Sequence, residues 1–201
     1  MGEIVMGEIA DGNRMPKIID HEKYKRELAQ KAAMMFSEYG YSGLGMRTIA
    51  SNLGMSKSAL YHYFPTKREL FHACTQVVTQ ANNQGATALE GASLEGASKE
   101  ERVHALIEVM KQIEPTFPNE MSLLFDYLRG RTPIDISHDE TMKLANENYI
   151  KLVAKFAGDD AAKPVLCLML GTLLMRYFDG QTTKFEEIET SLLHEVLDSD
   201  I

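Results

Sequence analysis

Between Leu53 and Phe64 the sequence reads LGMSKSALYHYF, and Lys57, Ser58, Tyr61, His62 and Tyr63 fall close together within it. A lysine ammonium can donate to guanine acceptors, and a serine hydroxyl can address more than one base. Aromatic rings can press on thymine methyls while their polar tips reach phosphate. Leu60 and Phe64, four residues apart, make the buried stripe of a helix, and that stripe requires none of Lys57, Ser58, Tyr61 or His62. The competing reading is a plain surface helix whose Tyr61 and Tyr63 cover neighbouring hydrophobics; Tyr63 fits both. The chain shows no carboxylate pair beside a base on one helix face, no nucleophile elbow, no phosphate-cradling glycine loop and no zinc-helix motif. His104, His138 and His194 stand alone, and His72 with Cys74 lacks further clustered ligands. Neither an enzyme nor a metal or other cofactor is expected.

The elements that must hold these side chains are legible around them. Met46 to Leu53 reads as a short helix with Ile49, Ala50 and Leu53 on one side. Gly54 permits a turn at positive φ, Ser56 caps the helix running to Phe64, and Thr66 caps a longer helix beginning at Lys67. Upstream, Leu28, Ala32, Met35 and Phe36 recur at helical spacing from Tyr24 through Tyr39, with Asp20 as N-cap and Gly40 as terminator. Two short helices meeting at Gly54 form a helix-turn-helix pattern, whose second helix enters the DNA major groove. Charge agrees: residues 17–70 carry 9 basic and 5 acidic side chains in a chain whose formal net charge is −8. A basic head on an acidic body suits a polyanion at the head alone.

The rest reads as all-α, about nine helices in total, with no period-2 alternation to suggest a sheet. Residues 1–16 are expected to form a disordered tail without a signal peptide, 17–66 the head, and 67–201 a larger helical bundle. Gln84 to Ser98, rich in Gly, Ala and Ser, is expected to be a loop or a poorly ordered helix end. Helices are expected over Lys99–Ile113, Asn119–Arg129, His138–Phe156, Ala161–Phe178 and Phe185–Leu197. Cys74 and Cys167 are expected to be buried free thiols. Val165–Met175, the most apolar segment, is too short to span a bilayer, so a soluble, cytoplasmic protein is expected. KPVLCLMLGTLLMRYF is apolar almost all round, and Gly171 would let a second backbone approach closely. With the last helix it could build a four-helix homodimer interface through Leu170, Leu174, Leu192 and Val196. The alternative is that both helices serve only the monomer core.

The stretch Ala32 to Phe71 resembles the TetR family of bacterial transcriptional repressors. The residues that carry the likeness are Phe36 to Gly40, Ile49-Ala50 to Gly54, Tyr61-His62-Tyr63-Phe64, and then Lys67 and Leu70. The resemblance implies that Lys57, Ser58, Ala59, Tyr61 and His62 meet bases and backbone, and that Tyr63 touches phosphate or packs on the first helix. It implies a phosphate-binding role for Lys67 and DNA contacts for Arg47 and Thr48. The family's usual capping threonine on the second helix is here Gly45, so one backbone contact is in doubt. The body is then expected to dimerise, so that two recognition helices read a palindromic double-stranded operator about 34–36 Å apart. It is also expected to bind a small apolar effector that releases the repressor from DNA. Phe117, Met121, Phe125, Tyr127, Tyr149 and Met169 are the expected pocket residues, and Arg176 leaves room for an anionic ligand. An identical DNA motif would serve a regulator with no effector, governed by a protein partner or by abundance.

Overall fold

The computed structural model describes residues 20–89, 94 and 96–196, and over these the chain forms ten helices and no strand. The tail expected over residues 1–16 lies outside the described residues. In α1 (His21–Gly43) the Asp20 carboxylate accepts the N–H groups of Glu22 and Lys23, both at 3.2 Å, and the helix buries Leu28, Ala29, Ala32 and Phe36. Gly40 leaves helical geometry at φ 75° before a last turn to Gly43. A side chain there would also meet the Asp126 carboxylate, 3.1 Å from where its Cβ would lie.

Next, α2 (Met46–Asn52) turns into α3 (Lys57–Tyr63) at Gly54, whose φ of 69° suits glycine. Met55 N–H bonds Ala50 O at 3.0 Å and Gly54 N–H bonds Ser51 O at 3.1 Å, the paired closure of a Schellman motif. Ser56 Oγ accepts from Ala59 N–H at 3.1 Å to start α3, and Thr66 Oγ1 accepts from Glu69 N–H at 3.1 Å to start α4 (Lys67–Leu89). The head closes over Leu28, Ala32, Phe36, Leu44, Met46, Ile49, Leu60 and Phe64. Its core continues past Thr66 to Leu70, Phe71 and Cys74 on α4 and to Tyr127 on α6.

The body comprises α5 (Lys99–Ile113), α6 (Phe117–Leu128), α7 (Pro133–Ser137), α8 (Glu140–Ala157), α9 (Asp159–Phe178) and α10 (Glu186–Glu195). Two expectations are refined. Helix α4 runs on to Leu89, so the first residues of the stretch expected as a loop or a helix end belong to the helix; Ala86, Ala88 and Leu89 favour helix enough to carry Gly85 at a cost of about 1 kcal/mol. The helix expected over His138–Phe156 begins only after Asp139, whose carboxylate accepts Thr141 N–H at 3.0 Å and Met142 N–H at 3.1 Å. Ahead of it stands the unforeseen α7, started by a capping box between Thr132 and Asp135.

The body core joins Val103, Leu106 and Met110 of α5 to Phe156 of α8, Val165, Met169 and Leu173 of α9 and Leu192 of α10. Leu192 and Val196 are fully buried inside the protomer, which corrects their expected place in a dimer interface. Cys74 is buried as expected, but Cys167 is exposed, because it lies on the side of α9 turned away from that core. Arg176 is engaged within the protomer: it pairs with Glu114 at 2.6 Å, donates to Thr183 O and lies 4.1 Å over the Phe185 ring. That corrects its expected availability to an anionic ligand. By length and composition alone the 20 residues of α9 would suffice to cross a membrane. Its face through Ala161, Ala162, Val165, Met169 and Leu173 is nonetheless committed to the body core.

Candidate nucleic-acid interface

Helix α3 is anchored from three sides before any polar residue is considered. Leu60 and Phe64 are buried at 0% and 1% exposure, Ser56 caps its start, and Gly54 sets its direction. What remains outward is Lys57, Ser58, Tyr61 and His62, all exposed, with Ala59 half-buried among them. Lys57 and Tyr61, one turn apart, share a face, with the ammonium 5.4 Å from the ring centroid. Ser58 Oγ lies 3.0 Å from Ser56 Oγ, so its hydroxyl is at the helix start. A helix with its polar N-terminal half outward matches the width of the major groove, about 12 Å.

Tyr63 takes the packing position. It stacks on His21 at 4.7 Å and meets Tyr24 edge-on at 5.4 Å, which ties α3 to the start of α1. Burial, with Tyr24 adding to it, pushes its phenol upward, so it stays neutral. Arg47 and Thr48 are exposed in the first turn of α2, beside Gly45, which is extended and makes no side-chain cap. Lys67, half-buried at the start of α4, places its ammonium 4.4 Å above the Tyr41 ring. Burial lowers its pKa, and the nearby Asp126 carboxylate opposes that shift. The supporting partners His21, Tyr24 and Tyr41 were not singled out from sequence. Their type alone gave no signal, since each meets its partner only through packing between different helices.

The six residues expected to line a pocket do not all converge: Phe125 and Tyr127 depart. Phe117 and Met169 are buried in the body core, and Met121 packs against it. Tyr149 of α8 is half-buried near Glu120 of α6, and burial pushes its phenol up to about 12. Phe125 is 62% exposed, which corrects its expected inward role: α6 turns it outward while Tyr127 faces the head. Tyr127 itself belongs to the head core, a second correction. On α9, Leu170 is exposed and Leu174 half-buried, in a face continued by Cys167, Met175, Tyr177 and Phe178.

Residues 28–74 match the family described as bacterial regulatory proteins, tetR family. Over 129 residues the chain is 33% identical to the HTH-type transcriptional regulator PksA of Bacillus subtilis, an alignment spanning 62% of each protein. It is 23% identical over 176 residues to the HTH-type transcriptional repressor AcnR of Corynebacterium glutamicum, spanning 76% of this chain and 93% of that protein. Among solved structures it resembles the multidrug binding protein EbrR, in complex with imidazole, with TM-score 0.64 at 17% identity, covering 87% of this chain and 96% of that one. It also resembles the regulator FadR of Bacillus subtilis, in complex with stearoyl-CoA, with TM-score 0.58 at 15% identity, covering 87% and 98%.

Proposed function

We propose that the chain, whose residues 28–74 match the bacterial regulatory proteins of the tetR family, is a sequence-specific DNA-binding repressor of that family that works as a homodimer. The observation that carries this reading is the outward row Lys57, Ser58, Tyr61 and His62 on a helix whose capping and burial are already complete without them. Lys57 and Ser58 address base edges, Tyr61 and His62 follow along the groove, and Arg47, Thr48 and Lys67 hold the flanking phosphates. The repressor named AcnR among the relatives supports the direction of control.

Dimerisation is supported by the unpaired face of α9, where Leu170, Met175, Tyr177 and Phe178 are 40–70% exposed. Two copies joined there would read a palindrome with half-sites about 34–36 Å apart. A small effector held among Phe117, Met121, Tyr149 and Met169 would release the repressor, with Tyr149 as a neutral hydrogen-bonding handle. EbrR with imidazole and FadR with stearoyl-CoA share the fold and support a bound effector in the body. A coupling of ~1–3 kcal/mol between effector and operator would change affinity by a factor of ~5–150.

The test is selection of bound duplexes from a random pool by the full chain. A palindromic consensus is the expected result; recovery of unrelated sequences at the background rate would overturn the reading.

A further inference from the structure

Lys67 stands at a junction that the sequence did not reveal. Its ammonium sits 4.4 Å over the Tyr41 ring. Tyr41 in turn meets Tyr127 edge-on at 4.9 Å and Phe71 at 5.0 Å, while Phe71 and Tyr127 stack at 4.5 Å. On its far side Tyr127 is fixed by the body. Its hydroxyl donates to Asp139 Oδ2 at 2.8 Å, Arg131 bonds the same oxygen at 2.5 Å, and the Arg131 guanidinium covers the Tyr127 ring at 4.0 Å. Asp139 spends its other oxygen on the first turn of α8. The chain of contact is therefore continuous from the α8 start, through Tyr127, to the cation at the start of α4. Arg131 and Asp139 are also felt electrostatically at the Tyr41 hydroxyl, which shows how close the two ends lie.

We propose that Tyr41 is the seat that holds the Lys67 ammonium at phosphate, and that the Tyr127–Asp139–Arg131 triad of the body holds that seat in place. A lysine stem has four rotatable bonds, and an ammonium attracted to the face of a ring loses part of that freedom before DNA arrives. Tyr41 and Tyr127 are positioning residues here: neither needs to touch DNA. The body then bears on DNA affinity through a named contact, because displacement of Tyr127 with α6 unseats Lys67. The inference rests on the reading of Lys67 as a phosphate contact.

The experiment measures binding of the full chain to a duplex recovered from a random pool, by fluorescence anisotropy between 50 and 200 mM salt. Loss of one phosphate contact lowers the log–log salt slope by about 0.9, so the fall in affinity across that range becomes roughly 3.5-fold smaller. K67M is expected to show that change. Y41L is expected to reproduce it and to add nothing in the K67M background, whereas Y41F, which keeps the ring, keeps the parent slope. Y127F preserves the stack and removes the hydroxyl, with its donation to Asp139 and its hydrogen bond with Thr141; it is expected to lower the slope part of the way. A parent-like slope in folded Y41L, with K67M reduced, overturns the seat. A parent-like slope in K67M overturns the phosphate reading instead. Should Y41L fail to fold, Y127F decides: a folded Y127F with the parent slope overturns the role of the triad.

Discussion

Replacing Asp139 by alanine tests the joint between head and body. The side chain is 3% exposed and serves two purposes at once. Oδ1 accepts the N–H groups of Thr141 and Met142, so its loss uncaps α8 at a cost of about 0.5–2 kcal/mol. Oδ2 accepts from Arg131 and from the Tyr127 hydroxyl, on a residue only 2% exposed, and removing that shared acceptor costs about 1–3 kcal/mol. Together the loss is roughly 1.5–5 kcal/mol, centred near 3 kcal/mol. For a chain of this length that is a fall in Tm of about 6–12 °C. Asp139→Asn, whose single amide oxygen can keep the cap while its NH2 takes the place of the oxygen facing the Tyr127 hydroxyl, should lose less.

The pH dependence supplies an independent arm. Burial alone would raise the Asp139 carboxyl, but donation from Tyr127, Met142 and Arg131 outweighs it and holds the group below the ordinary aspartate range. A carboxylate lowered in the folded state contributes stability that is present above its unfolded value and lost as pH falls through its folded value. The stability gap between parent and Asp139→Ala should therefore be constant near neutrality and narrow only below the ordinary aspartate range. Urea unfolding followed by circular dichroism at several pH values measures it. A gap under 1 kcal/mol at pH 7, or one that widens on acidification, would refute the reasoning.

Leu170→Glu should leave the protomer folded and shift sedimentation from dimer to monomer, whereas Leu192→Ala, in the body core, should cost about 2–5 kcal/mol in a denaturant titration. Gly54→Ala meets no atom within 4 Å, so its cost is conformational, about 1–2 kcal/mol at φ 69°, and should appear as a lower Tm with weakened DNA binding. Cys167 should react promptly with a thiol reagent in the dissociated protomer and slowly in the dimer. Cys74, buried and with its thiol pushed up by that burial, should resist in both until the chain unfolds.

The head was the more legible half because its rules are local. Asp20, Ser56 and Thr66 each cap within three residues of themselves, and Leu60 with Phe64 defines the inward side of α3 with no further information. The body resisted for the opposite reason. In α9 nearly every side chain after Lys163 is apolar, so periodicity could not separate the buried Met169 and Leu173 from the exposed Leu170 and Phe178. The same blindness assigned Leu192 and Val196 to an outer surface and Phe125 to an interior. Aromatic type failed likewise at Tyr41 and Tyr127, whose roles depend on contacts between segments more than eighty residues apart. Helix α7 was missed because Thr132, Pro133 and Asp135 form a start signal of only five residues, too short for any apolar period.

The most direct measurement is a titration of the parent and Tyr61→Ala against the selected duplex and a shuffled duplex of equal composition. The parent should prefer the selected duplex, and Tyr61→Ala, with an unchanged Tm, should lose ~1–3 kcal/mol of specific binding while its affinity for the shuffled duplex barely moves. Equal binding of both duplexes by the parent, or undiminished preference in Tyr61→Ala, would contradict the assignment of α3 as the reader of DNA.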